Sequence, residues 1–157
     1  MAAASAVNLG FLTVLQEGTS YLGGYLVTNT WGRPLEFRLS TAVQPNRVQQ
    51  VLYAATLRPY ICADLIGKTL VDKAGISVQL LLTDTDAVLD LRHRVEVPVL
   101  LIGESVTAHP RYPEDAEAAK EILSRLEGIV DLKEPFVRIR EAIGEARKMG
   151  VTGRAAA

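Results

Sequence analysis

The stretch that decides the fold runs from residue 78 to residue 105 and reads VQLLLTDTDAVLDLRHRVEVPVLLIGES. It contains two continuous apolar runs, VQLLLT and VPVLLIG. Strands that are apolar at every position are typical of parallel strands buried on both faces. The roughly twelve residues between the runs fit a crossover that contains a short helix. The pattern therefore predicts a β-α-β unit, with strands over 77–83 and 97–102 and a helix over 86–94.

The N-terminal part, residues 9–40, predicts three antiparallel strands joined as a meander. GFLTVLQEG reads as the first strand, and the second passes through Tyr25 to Thr28. Gly23 and Gly24 at the entry of the second strand indicate a turn, a bulge or a close backbone approach. The third strand, PLEFRLS, alternates. Its apolar face would hold Leu35, Phe37 and Leu39, and its polar face Glu36 and Arg38.

Helical spacing replaces the alternation after Pro45. Four apolar residues then recur with helical period: Val48, Val51, Leu52 and Ala55. Pro59 should end or kink this helix near Leu57, and a second helix should continue to Gly75.

The C-terminal part, beyond a proline-containing linker at 109–113, predicts a pair of amphipathic helices. The first carries an apolar stripe formed by Ala119, Ile122, Leu123, Leu126 and Ile129. Pro135 suits the first turn of the second helix. That helix bears Phe136, Ile139 and Ile143 on one side and charged residues on the other.

Together these elements predict a single α/β domain. The meander and the β-α-β unit would share one mixed sheet covered by helices, with the helical pair packed on that body or on a partner. We place a flexible N-terminus at 1–8, the mixed core at 9–108, the helical segment at 109–150 and a flexible tail at 151–157. No residue pattern identifies a known family.

Composition narrows the classes of partner. The chain has 157 residues and a net charge of −1, with 48% hydrophobic and 22% charged residues. This balance is typical of globular proteins and gives no overall attraction for nucleic acid, which we do not expect as a partner. A single cysteine, Cys62, excludes an intrachain disulfide and favours a reducing, cytoplasmic location. No apolar run is long enough to cross a membrane.

Carboxylates follow both apolar runs of the β-α-β unit. Asp84 and Asp86 follow the first strand and Glu104 follows the second, with His109 close behind. The carboxyl ends of parallel strands meet at one end of a sheet, where α/β proteins bind ligands. One interpretation is a site at which these four residues hold Mg²⁺ or Mn²⁺. The other is that Asp84 or Thr85 only caps the helix that follows.

The leading functional hypothesis is a non-catalytic interaction or assembly subunit that binds a protein partner or a second copy of itself. No nucleophile or phosphate-binding motif occurs, and the chain has only two histidines. The predicted interface consists of Trp31, Arg33, Phe136, Ile139 and Ile143. In that case the protein needs no cofactor. The alternative is a metal-dependent enzyme of phosphoryl-transfer or hydrolytic type that uses the carboxylate cluster.

Overall fold

The computed structural model describes residues 7–126 and 131–150. Within them a six-stranded sheet forms the centre of the molecule, in the order β3-β2-β1-β4-β5-β6. The strands are β1 (Leu9–Glu17), β2 (Ser20–Thr28), β3 (Pro34–Leu39), β4 (Leu80–Thr83), β5 (Val99–Ile102) and β6 (Val106–Ala108).

The strand pairing confirms the predicted mixed sheet. β1, β2 and β3 form the antiparallel meander, and β4 pairs in parallel with both β1 and β5. β6 was not predicted. It pairs antiparallel with β5, with Ala108 opposite Leu100, so the chain reverses direction after β5.

Helices cover both faces of this sheet. α1 is Arg47–Tyr53, and a turn at Ala54–Thr56 separates it from α2, residues 57–73. α2 contains a π-helical stretch, Tyr60–Gly67. A 3-10 helix, Asp86–His93, connects β4 to β5 and is called the crossover helix below. The C-terminal helices are α3 (Glu114–Ala118), α4 (Lys120–Leu126) and α5 (Glu134–Lys148).

The two faces of the sheet bury separate apolar clusters. One cluster joins the sheet to α2 and the crossover helix, and the other joins it to α4 and α5. Gly23 and Gly24 in β2 permit this close packing on opposite faces. A Cβ atom at Gly24 would lie 2.6 Å from Cγ2 of Ile139, and one at Gly23 would overlap Ile66. The glycine pair therefore marks a close approach, one of the three alternatives that the sequence left open.

Two apolar patterns are not buried as their periodicity suggested. α1 exists, but its Val48, Val51 and Leu52 are all exposed, and none of its residues is buried. In β3, Leu35 and Phe37 are 42% and 37% exposed. Glu36 on the opposite face is the more enclosed residue, because its carboxylate accepts hydrogen bonds from the backbone amides of Gly75 and Ile76.

The C-terminal helices pack on the chain's own sheet, the first of the two predicted arrangements. The described helices include none long and apolar enough to span a bilayer. Ile129 of the predicted stripe lies outside the described residues. So do residues 1–6 and 151–157 of the two ends that were predicted to be flexible.

Candidate functional site

The carboxyl ends of β4 and β5 form one of two candidate sites. Asp84 and Asp86 line a small cleft there with Thr13, Arg58 and Arg140. The cleft lies where the β-α-β argument placed it, since β1, β4 and β5 are parallel and end together.

Both carboxylates of this cleft are already paired with arginine. Asp84 accepts a hydrogen bond from the hydroxyl of Thr13 at 2.6 Å and forms an ion pair with Arg140. Asp86 forms an ion pair with Arg58 at 2.6 Å, and this hydrogen bond holds the pKa of Asp86 below its usual range. The charges are therefore compensated within the chain, which lowers the affinity of this end for a cation.

The alternative interpretation, helix capping, is only partly found. Thr85 occupies the position that precedes the crossover helix, yet its side chain makes no capping hydrogen bond. Its hydroxyl instead accepts from the amide of Val14 at 3.2 Å and donates to Asp84 at 3.3 Å. Asp86 lies in the first turn of that helix, where a negative charge complements the helix dipole.

The predicted four-residue cluster does not form. Glu104 is exposed in the turn between β5 and β6 and does not line the cleft with Asp84 and Asp86. His109 lies at the opposite end of the sheet, because the β5–β6 reversal carries the chain back to the amino end of β5. The prediction ended the strand at residue 102 and grouped His109 with Glu104 because the two are close in sequence, and so it missed this reversal.

A second candidate site occupies the amino end of β5. Asp90, His93 and His109 each offer one ligand atom there, and the three atoms lie within 4.8 Å of one another. Nε2 of His109 is 2.9 Å from a carboxylate oxygen of Asp90. The rings of His93 and His109 meet edge to face with their centroids 4.7 Å apart. We call these three residues the Asp-His-His cluster.

The crossover helix places two members of the cluster side by side. A 3-10 helix has three residues per turn, so Asp90 and His93, three positions apart, project from the same side. The sequence signal is therefore D-x-x-H. It was missed because His93, between two arginines, reads as a solvated surface residue, and because Asp90 had no visible partner.

A buried ion pair fixes the turn that carries His109. Arg92 donates to Asp115 at 2.8 Å and to the carbonyl of Val95 at 2.9 Å. Its guanidinium also lies 4.2 Å from the ring centre of Tyr112. The Tyr112 hydroxyl is 3.3 Å from Nδ1 of His93. Arg92 thus connects the crossover helix to the 109–115 segment and holds the two histidines together.

Proton positions differ between the two imidazoles. The backbone amide of Arg111 donates to Nδ1 of His109 at 3.0 Å, so the ring proton resides on Nε2 and points at Asp90. Nδ1 of His93 lies 3.3 Å from the Tyr112 hydroxyl, which can accept from it and leave Nε2 available as a ligand. A cation at His109 Nε2 must displace a proton and move the Arg111 amide, whereas His93 needs no rearrangement.

An open cleft of about 730 Å³ adjoins the Asp-His-His cluster. Asp90, His93, Arg94 and Arg111 line it on one side. The other side comes from the end of α1, the turn after it and the start of α2, and includes the stacked rings of Tyr53 and Tyr60. Asp90 and His93 therefore face a space large enough for a small ligand, with cationic side chains at its rim, whereas His109 does not line it.

The residues of the predicted interface separate into two groups. Trp31 is 74% exposed in the β2–β3 turn, next to Arg33. Phe136, Ile139 and Ile143 are buried under the sheet, so they are core residues and cannot form a surface of this fold. Their helical stripe is equally typical of a buried face and of an interface. The sequence alone does not distinguish the two.

Comparisons with known proteins give a weak likeness of fold. No family model and no curated protein matches the chain. Two solved structures of endonuclease V from Ciona intestinalis match it, with TM-scores of 0.45 and 0.44 and identities of 11% and 12%. They are complexes with a 23mer and a 24mer DNA that contain an inosine followed by a ribo-adenosine. Each match covers 80% of the present chain and 58% of the endonuclease V chain. A likeness of this strength assigns the present chain neither an activity nor a partner.

Proposed function

We propose that the protein is a metal-dependent hydrolytic enzyme acting on phosphate esters, with Asp90, His93 and His109 holding the cation. The observation that carries the proposal is the convergence of three ligand atoms within 4.8 Å beside an open cleft. The alternative function predicted from the sequence is a hydrolytic enzyme with the metal at the carboxyl ends of the strands. We keep that class of enzyme and put the metal at the amino end of β5.

Two imidazoles and one carboxylate form a ligand set with vacant coordination positions. A cation held in this way lowers the pKa of a bound water and polarises a phosphoryl oxygen. Arg94 and Arg111 would bind the anionic part of the substrate, since guanidinium groups recognise phosphate oxygens through paired hydrogen bonds. Before a cation binds, Asp90 holds His109 in place through their 2.9 Å contact.

The donor set also indicates which cation is expected. Mg²⁺ prefers oxygen ligands alone, whereas imidazole nitrogen suits first-row transition metals. Of the two ions that the carboxylate hypothesis named, Mn²⁺ remains suitable and Mg²⁺ does not. Zn²⁺ joins Mn²⁺ as a candidate.

Isothermal titration of Zn²⁺, Mn²⁺ and Mg²⁺ into the chelator-treated protein tests the site. We expect one equivalent of Zn²⁺ or Mn²⁺ to bind and Mg²⁺ to bind at least tenfold more weakly. His93→Ala and Asp90→Asn should each abolish saturable binding. Asp64→Asn is the matched control, because Asp64 lines the same cleft but is not in the cluster. Unchanged binding in His93→Ala would refute the site.

Hydrolysis of bis(p-nitrophenyl) phosphate by the Zn²⁺- or Mn²⁺-loaded protein tests the activity separately. The reaction should disappear in His93→Ala. It should weaken in Arg111→Ala with metal affinity unchanged, because Arg111 would contact the substrate. A protein that binds metal but hydrolyses no phosphate ester would retain the site and lose the proposed activity.

The assembly function remains a second candidate, favoured by the 74% exposure of Trp31 beside Arg33. An exposed tryptophan next to an arginine is typical of a protein contact. We expect a protein that copurifies with the tagged chain from its native cell to be lost in Trp31→Ala. It should be retained in Met149→Ala, whose side chain is similarly exposed. Equal recovery with both variants would contradict an interface at Trp31.

A further inference from the structure

Among the described residues, β3 is an edge strand with no other strand paired to its outer side. It stands last in the strand order, and its six residues make it twice as long as β6 at the other edge. Edge strands are usually shortened, charged on the exposed side or interrupted by proline, because their free backbone groups otherwise pair with another strand. β3 has proline only at its first position, and its Leu35 and Phe37 are exposed.

The hydrogen bond after the end of β3 and the register of its pairing with β2 fix the direction in which its backbone groups point. The Ser40 amide donates to the Gly23 carbonyl at 2.9 Å, and Arg38 and Glu36 face Tyr25 and Val27 in the same register. In antiparallel pairs alternate residues bond to the neighbouring strand. Positions 36, 38 and 40 therefore bond to β2, and positions 37 and 39 direct their amides and carbonyls to the open side. The register shifts between Val27 and Thr28, so this alternation ends at Glu36.

We propose that β3 pairs antiparallel with β3 of a second copy of the chain, about a two-fold axis at Phe37. The strand is self-complementary about that residue. Phe37 would face its own copy, Leu35 would face the partner's Leu39, and Glu36 would face the partner's Arg38. The two copies of Phe37 would then bond to each other through their outward backbone groups, which joins two six-stranded sheets into one.

The alternating charges of Glu36 and Arg38 favour a second copy of β3, rather than another strand, as the partner at this edge. Within one chain, Arg38 already donates to Glu36 at 2.6 Å. The side chain of Arg38 is 37% exposed and that of Glu36 only 14%, so the free side of the guanidinium faces solvent. In the paired arrangement the charges alternate across the junction, and opposite charges on facing residues stabilise strand pairs. An antiparallel strand shifted by two residues would lose this match.

Disulfide trapping tests both the pairing and its register. Facing residues in a hydrogen-bonded antiparallel pair have Cα atoms about 5.5 Å apart, a distance that a disulfide spans. Under mild oxidation Phe37→Cys should form a covalent dimer. Leu35→Cys should not, because its facing residue is the partner's Leu39. The native Cys62 is buried and does not interfere. Efficient crosslinking of Leu35→Cys, or none of Phe37→Cys, would overturn the register.

Amide exchange and light scattering on the unmodified chain provide a test without substitution at the axis. The unmodified chain should be a dimer whose amides at 37 and 39 lose protection on dilution, while those at 36 and 38 stay protected. Arg38→Glu should raise the dissociation constant about tenfold, because two favourable pairs become repulsive. Val48→Lys, on exposed α1, is the control and should leave the dimer intact. A monomer at every concentration, or a dimer broken by Val48→Lys alone, would refute the proposal.

Discussion

The two ends of the parallel strands carry similar residue types with different pairing. At the carboxyl end, Asp84 and Asp86 each face an arginine. At the amino end, Asp90 faces two imidazoles, and the nearby Arg92 is occupied by Asp115. Acidic residues at a strand end therefore do not define a cation site by themselves. What distinguishes the ends is whether the groups beside the carboxylates are guanidinium cations or imidazoles that can act as ligands.

The difference follows from how each end is built. Helix α5 and the start of α2 bring Arg140 and Arg58 over the carboxyl end. At the amino end, the Arg92 guanidinium is paired with the buried Asp115 and not with Asp90. Of the substitutions considered below, removal of the Arg92–Asp115 pair should have the largest effect on stability.

Arg92→Ala should lower the free energy of unfolding by about 3–5 kcal/mol, because it leaves Asp115 buried and unpaired. Chemical denaturation measures the loss. Arg94→Ala, which removes the mostly exposed pair with Asp64, should cost at most about 1 kcal/mol. Similar losses for the two variants would mean that the buried pair does not organise the amino end.

Stabilisation of the protein by a bound cation should show which end of the parallel strands holds the metal site. A ligand at 100 times its dissociation constant stabilises the native state by about 2.7 kcal/mol. We expect Zn²⁺ or Mn²⁺ to produce such a gain in the unmodified protein and in Asp84→Asn, and none in Asp90→Asn. Thermal unfolding with and without the ion provides the measurement. The reverse pattern would return the site to the carboxyl end.

Thr13→Val examines how firmly Asp84 is held at the carboxyl end. The substitution keeps the shape of the buried side chain and removes the 2.6 Å hydrogen bond to the carboxylate. Hydrogen bonds to charged groups contribute about 1.5–3 kcal/mol, so unfolding should become easier by about that amount. Unfolding stability equal to that of the unmodified protein would show that Arg140 alone suffices to hold Asp84.

The smallest effect is expected from the Arg58–Asp86 pair. The arginine holds the pKa of Asp86 below its ordinary value of 3.8. The stabilisation is therefore complete above that value and is lost as the pH falls through the lower pKa of the folded state. Because the pair is largely exposed, we expect less than about 1 kcal/mol. Asp86→Asn should remove this part of the dependence of the free energy of unfolding on pH. If the free energy of unfolding varies with pH in the variant as it does in the unmodified protein, the pair contributes nothing.

Much of the fold could be predicted from local patterns. Continuous apolar runs identified β4 and β5 as parallel neighbours, and alternation identified the meander. β6 was missed because three residues, VTA, carry too little pattern to show a strand. The same omission misplaced His109, since one unrecognised reversal moves every following residue to the other end of the sheet.

The candidate site was less predictable because it depends on contacts between distant residues. Nothing in the sequence shows that Arg140 meets Asp84, or that His109 meets Asp90 across 19 positions. The exposed faces of α1 and β3 show the same limit. Periodicity reports which residues share a face, and only the packing of other elements decides whether that face is buried.

Anomalous diffraction from crystals of the protein grown with Zn²⁺ or Mn²⁺ tests directly whether the Asp-His-His cluster binds a cation. We expect one strong peak about 2.0–2.3 Å from ring nitrogens of His93 and His109 and a carboxylate oxygen of Asp90. The Arg111 amide should have moved away from Nδ1 of His109. A peak beside Asp84 and Asp86, with the Asp-His-His cluster unchanged, would contradict this expectation.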